Sequence, residues 1–160
     1  MQSKRELEDW YFPRPDPWDY KTTSDDIYRK RFYLTVLENL GPDFDRALDI
    51  GAGEGYITTD LPAREIHGIE LSDWAAGRFP DNVDRINVPL GKYDLVMTTG
   101  TLYKQYDHAK IYEQIMRCAN GIICIGGIED WLLPYDFGEQ IESFSFPYRE
   151  YTGVLRVYKP

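Results

Sequence analysis

The sequence predicts an α/β fold built on a doubly wound, mostly parallel sheet, with an antiparallel hairpin at its C-terminal end and little material in its C-terminal half. Three observations predict it. Short apolar runs alternate with stretches of helical spacing through the middle of the chain, which implies strand-helix-strand units. A glycine-rich turn, Gly51-Ala52-Gly53-Glu54-Gly55, directly follows the first run. The last third instead holds two strand-like segments, 141–146 and 154–158, joined by 147–153 with no strong helix between them.

The elements follow in order. Residues 1–23 are rich in proline, charge and aromatics, and Pro13, Pro15 and Pro17 suggest an irregular arm. Its aromatics, Trp10, Tyr11, Phe12, Trp18 and Tyr20, are too many for a solvated tail. Ser24 or Asp25 can cap a helix in which Tyr28, Phe32, Val36 and Leu40 recur every fourth residue, and Gly41-Pro42 stops it. The first strand is Ala47-Leu48-Asp49-Ile50, and a helix-compatible stretch runs from the glycine turn to Leu61, before Pro62. The second strand covers 66–70. A helix capped by Ser72 or Asp73 follows through Trp74 to Phe79, then a weak strand near 85–88 and a clear one at 93–98. Asp107 can cap a helix with Ile111, Ile115 and Ala119 on one face. Residues 121–125 form a continuous apolar run of the kind buried on both sides of a parallel sheet.

At 160 residues the chain fits one domain spanning 1–160, with no repeat or linker that divides it. Its net charge of −9 repels phosphate backbones, so nucleic acid is not the expected partner, and the short basic stretch Arg29-Lys30-Arg31 does not reverse that. No apolar run approaches the roughly 18 residues of a membrane span, and no basic-then-apolar leader opens the chain. A membrane partner is not expected and the expected location is cytoplasmic. Cys118 and Cys124 have no metal-ligand or disulfide-framework spacing, so both read as reduced, with Cys124 in a core strand, and no metal site is expected.

Chemistry concentrates at Asp49–Gly55. Glycines where a buried strand hands over to a helix permit positive φ and let a ligand approach the backbone without meeting a Cβ. The carboxyl ends of parallel strands are where open α/β sheets bind ligands. Glu70 ends the second strand, placed to accept the hydroxyls of a ribose. The glycine spacing separates two ligand types. Dinucleotide sites favour GxGxxG and a helix N-terminus free of negative charge, whereas here Asp49 precedes the turn and Glu54 sits inside it. A cationic ligand suits these carboxylates better than a pyrophosphate, which disfavours nicotinamide-dependent chemistry.

These residues resemble the class I S-adenosylmethionine-dependent methyltransferases, whose first motif is an acid followed by alternating glycines and whose second is an acid closing the second strand. The resemblance covers about residues 46 to 128. It implies a Rossmann-like sheet and S-adenosylmethionine as cofactor, with S-adenosylhomocysteine as product. It also implies a cofactor-binding core at 42–128, flanked by the arm and helix of 1–41 and the short strands of 129–160. Asp49, Gly51, Ala52, Gly53 and Gly55 would line the methionine and ribose portions and Glu70 would hold the ribose, with Leu71, Thr98 and Trp18 completing the cofactor contacts. Lys92-Tyr93-Asp94-Leu95-Val96-Met97 looks like the fourth-strand segment of that family. Leu102-Tyr103 with Asp107, and Asp16-Pro17-Trp18-Asp19-Tyr20 in the arm, are similar to small-molecule enzymes of the nodulation N-methyltransferase type. Two departures stand out: Asn87-Val88-Pro89-Leu90 offers no acid for the adenine amino group, and the segment usually inserted over the substrate after the fifth strand is nearly absent.

Methyl transfer is an in-line displacement that rests mainly on positioning and need leave no catalytic signature. His108 is the first candidate for a general base, although the reading as a solvated first-turn helix residue is the stronger of the two. Tyr103 is a candidate for covering the substrate or donating a hydrogen bond to it, and an aromatic there also simply packs. Trp18 and Tyr20 suit a face against a sulfonium as well as plain anchoring of the arm, and His67 reads as a core or surface histidine. The expected function is methyl transfer to a small-molecule acceptor, sugar-like or amine-bearing. The alternative is a non-catalytic or regulatory protein that keeps the cofactor pocket. A homo-oligomer, in which a second subunit walls the open substrate side, is one assembly the sequence allows, and the sequence does not fix the oligomeric state.

Overall fold

In the computed structural model, which describes residues 2–41 and 43–160, the strands form one seven-stranded sheet in the order β3-β2-β1-β4-β5-β7-β6. The strands are β1 (Phe44–Ile50), β2 (Ala63–Ile69), β3 (Asp84–Arg85), β4 (Tyr93–Thr99), β5 (Ala119–Ile128), β6 (Glu139–Tyr148) and β7 (Tyr151–Lys159). β1 to β5 pair in parallel, and β7 runs antiparallel to both β5 and β6. The expected parallel sheet with an antiparallel C-terminal hairpin is therefore present.

Alternation along the central strands feeds two cores, because successive side chains leave a strand on opposite faces. Ala47, Leu95, Met97 and Cys124 pack on one face under α2 (Ser24–Leu40), which contributes Tyr33, Val36 and Leu37. Leu48, Ile50, Val96, Ile123 and Ile125 pack on the other under Ile115 and Cys118 of α4 (His108–Cys118).

Several local expectations are corrected. The arm is not irregular throughout: α1 (Lys4–Tyr11) opens it, because Ser3 and Glu6 form a reciprocal capping box and Leu7 and Tyr11, one turn apart, are both buried. Residues 12–23 are irregular, with Asp16 and Asp19 at φ 47° and 58°.

The N-cap of α2 is Thr23, and its buried row is Tyr33, Val36 and Leu37. Tyr28 is 51% exposed; with Phe32 it stacks along the rim against Phe144 and Phe146 of the hairpin, while the Tyr33 hydroxyl donates to the Val154 carbonyl at 3.0 Å. Pro42, expected to stop this helix, lies outside the described residues.

The glycine turn does not hand over to an α-helix. Only a 3-10 turn, Thr58–Asp60, forms before β2. The β-branched run Ile57-Thr58-Thr59 favours helix weakly, and Pro62 closes the available length. The helix expected over 74–79 is the single turn α3 (Asp73–Ala76), capped by the Ser72 hydroxyl and ended by Gly77, and β3 is only two residues long.

The hairpin strands are longer than expected and meet at Arg149-Glu150, so Pro147 lies inside β6. β6 is the sheet's edge strand, where a residue without an N–H is tolerated.

Leu37→Ala should cost about 2 to 5 kcal/mol of global stability in urea unfolding, since it empties a fully buried site. Ser3→Ala should cost about 1 kcal/mol and show itself mainly as faster amide exchange across residues 4–11.

Candidate functional site

The register of β1 against β2, with Asp49 opposite Gly68 and Ile50 opposite Ile69, brings the ends of both strands level. Glu70 leaves β2 just beyond that point, beside the turn after Ile50. A cavity of 990 Å³ opens over these ends.

Gly51, Gly53 and Gly55 take φ of 78°, 58° and 80°, which residues with a Cβ adopt only with strain. At Gly51 a Cβ would also collide with the Thr101 side chain, so this position is closed to any other residue. Gly51, Ala52, Gly53 and Glu54 all line the cavity.

Asp49 is 2% exposed. Its Oδ2 accepts a 2.6 Å bond from the Thr58 hydroxyl, and its Oδ1 has no partner among the described residues. Burial pushes its carboxyl up to about 7; the Thr58 bond opposes the shift and the charge of Glu70 adds to it. Glu70 accepts the N–H of Gly53 at 2.8 Å and of Ser72 at 2.9 Å. Its carboxyl is also raised by burial, against those backbone bonds. A carboxylate has about four lone-pair sites, so capacity remains for a ligand's hydroxyls.

The arm closes this end. The Asp16 N–H donates to Glu54, which Arg78 also approaches at 3.4 Å. Trp18 stacks between Trp10 and Tyr20, with Tyr11 edge-on at 5.1 Å, and all four rings line the cavity. Tyr11 lies close to the glycine turn, its hydroxyl 3.2 Å from where a Cβ on Gly53 would be.

Of the residues singled out in the sequence, Asp49, Gly51, Ala52, Gly53, Glu70, Leu71, Trp18 and Tyr103 line this one cavity. Gly55, Thr98 and His108 do not. Gly55 shapes the corner against Pro80, and the Thr98 hydroxyl is committed to the Ile50 carbonyl at 2.6 Å. His108 pairs through Nδ1 with the Tyr135 hydroxyl at 2.6 Å. His67 is buried between Tyr93 and Glu65, each at 2.7 Å. The Tyr103 hydroxyl accepts the Ile128 N–H at 2.7 Å, and burial pushes its pKa up to about 12, so it stays protonated at neutral pH.

Sequence reasoning missed Asn87, which lines the cavity where no acid was available. It also missed a buried polar cluster at the opposite end. Asp26, fully buried on α2, accepts the Tyr148 hydroxyl at 2.7 Å and the Arg149 guanidinium at 2.7 Å, with Arg29 at 3.2 Å. The available signal was Asp26 and Arg29, three residues apart, interrupting a helix whose other buried residues are apolar.

No protein-family model and no curated protein matches the chain. Solved structures do. The N-methyltransferase NodS from Bradyrhizobium japonicum, in complex with S-adenosylhomocysteine, superposes with TM-score 0.79 at 15% identity over 99% of this chain and 100% of that one. The fold is that of the class I methyltransferases. The magnesium protoporphyrin IX methyltransferase ChlM from Synechocystis, with bound S-adenosylmethionine, follows the same methyltransferase sheet with TM-score 0.71 at 12% identity, over 100% and 98% of the two chains. PH1948 from Pyrococcus horikoshii, provisionally an RNA methyltransferase, does so with TM-score 0.68 at 14% identity, over 98% and 99%. Relative to the alternating strands and helices expected for this methyltransferase fold, the present chain replaces the helix after β1 by a 3-10 turn.

The Asp49 carboxyl yields a pH prediction. A pKa raised on folding means that the native state holds this proton more tightly, so its stabilising contribution is complete below the ordinary value of 3.8 and is lost as pH rises through about 7. Thermal unfolding across that range should show Asp49→Asn gaining on the unaltered protein from pH near 4 to pH near 7 and holding a constant lead above it. A lead that does not change with pH would mean that Asp49 is not desolvated as described.

Proposed function

We propose that this chain transfers the methyl group of S-adenosylmethionine to a small-molecule acceptor and releases S-adenosylhomocysteine. The observation that carries the reading is the gathering of Asp49, Glu54 and Glu70 around a positive-φ glycine turn at the strand ends, on a sheet of methyltransferase topology. Such a site favours a cationic, ribose-bearing ligand over a pyrophosphate.

The residues present fit that cofactor. Glu70 would hold the ribose hydroxyls, Asn87 lies on the wall available to a base, and the unpartnered Asp49 Oδ1 is a buried acceptor awaiting a donor. Trp18 and Tyr11 line the same end, with Trp18 held in its stack between Trp10 and Tyr20. When bound, the cofactor supplies an electrophilic methyl group on a sulfonium. The chain's own part is to orient an amine or hydroxyl of the acceptor in line with it and to exclude water. Tyr103, protonated and lining the cavity, is a hydrogen-bond donor to the acceptor and not a base. The net charge of −9 supports a small molecule and not a nucleic acid as acceptor.

One observation favours a second reading, cofactor binding without transfer: His108, the first candidate for a general base, is engaged with Tyr135 and does not line the cavity. An amine acceptor entering as the free base needs no such group, and turnover decides between the two. Calorimetric titration with S-adenosylhomocysteine should give saturable binding that Glu70→Ala weakens by about tenfold or more, the loss expected for charge-assisted bonds to a ribose. Release of S-adenosylhomocysteine from S-adenosylmethionine in the presence of small amines and hydroxyl compounds would establish transfer. Binding with no release for any acceptor would favour the second reading, and no binding would overturn both.

A further inference from the structure

We infer that the acceptor carries an anionic group, a carboxylate or a phosphate, and that Arg29 at the α2 end of the cavity receives it. This rests on the methyl-transfer reading and names its substrate class.

The cavity is electrically polarised. Asp49, Glu54 and Glu70 lie at the β1 and β2 ends, where a cationic cofactor is expected. At the other end Arg29 and Arg149 line the same cavity and share one buried carboxylate, Asp26. Asp26 also accepts the Tyr148 hydroxyl, so its negative charge is spread over three donors. Asp25, which accepts the Arg149 backbone N–H at 2.7 Å, does not line the cavity. Of the other cations on the wall, Lys4 and Arg85 are already paired with Asp73, and Lys21 and Lys110 are exposed.

Arg29 is the informative residue. Its side chain is 11% exposed, and its guanidinium lies 5.0 Å from the centroids of both the Tyr20 and Tyr148 rings. Two aromatic rings and the Asp26 bond therefore fix its position. Its buried Nε has no acceptor among the described residues, an arrangement that costs free energy in a folded protein. Arg29 lines the cavity, so an anionic oxygen can approach its guanidinium from that side, and guanidinium geometry suits two oxygens of one carboxylate or phosphate. Tyr20, Tyr103 and Tyr148 around it would flank a planar or apolar body. The acceptor would thus lie with its anion at α2 and its nucleophilic atom toward the acidic, cofactor-binding end.

The test uses the full chain loaded with S-adenosylhomocysteine and titrated with benzoate, phenyl phosphate, benzylamine and benzyl alcohol at millimolar concentrations. One or both anions should bind at least about tenfold more tightly than the amine and the alcohol. The comparison of benzoate with phenyl phosphate tells which anion the site prefers. Arg29→Gln should weaken the preferred anion by about tenfold while leaving the affinity for S-adenosylhomocysteine unchanged. Should Arg29→Gln fail to fold, Arg149→Gln, at the more exposed of the two arginines, carries the same comparison. Anions that bind no better than benzyl alcohol, or an anion affinity unchanged in a variant that still binds S-adenosylhomocysteine, would overturn the inference. The loading step separates the two failures: no S-adenosylhomocysteine binding overturns the methyl-transfer reading and this one with it, whereas loading without anion preference overturns this one alone.

Discussion

Two carboxylates desolvated side by side, Asp49 at the end of β1 and Glu70 just past β2, are the constraint around which the rest of the site is arranged. Parallel pairing sets the two strand ends level and so brings the like charges together. Burial without compensation would be costly, and the neighbouring chain answers it. Thr58 folds back to bond Asp49, which anchors the 3-10 turn, while the backbone N–H groups of Gly53 and Ser72 bond Glu70. The positive-φ glycines are what allow the turn to pass close enough to make those bonds. What remains unanswered, the Asp49 Oδ1 and the raised pKa values, is a deficit of positive charge that a cationic ligand would fill.

The economy of the chain shows in how that end is closed. With the helix after β1 reduced to a 3-10 turn and α3 to a single turn, the regular layer of the fold is thin there. The N-terminal segment takes over the task. α1 packs beside α3 through the Lys4–Asp73 pair and the Phe12–Trp74 contact, and the loop at 13–23 is tied to Glu54 through the Asp16 N–H. The stacked series Trp10, Trp18 and Tyr20 then becomes a wall of the cavity. At the far end the buried Asp26 does the same for the hairpin, joining α2 to Tyr148 and Arg149 at the turn between β6 and β7.

How much of this was legible in the sequence depends on the range of the interaction. The strands and their alternation follow from local apolar runs, and Asp49, the glycines and Glu70 follow from spacing within one strand-turn-strand unit. Ser3 and Glu6 were legible too, as a capping box, but the prolines downstream masked it. The α2 face was misread because Tyr28 and Phe32 have the right period yet pack on a rim built by residues more than a hundred positions away. The helix after the glycine turn was expected from the pattern of the fold, and the Thr58 bond to Asp49 with Pro62 beyond it overrides that pattern. Arg149 carries no local signal, because it meets Asp26 and Arg29 only when the hairpin folds against α2.

The most direct test of the central electrostatic claim is calorimetric titration of the unaltered protein with S-adenosylmethionine at pH near 7, in two buffers of different ionisation enthalpy, alongside Asp49→Asn. A cationic ligand entering beside a carboxyl whose pKa is about 7 should expel part of its proton. The account predicts saturable binding with more proton release in the unaltered protein than in Asp49→Asn. Absence of binding, or a proton balance identical in the two proteins, would contradict it.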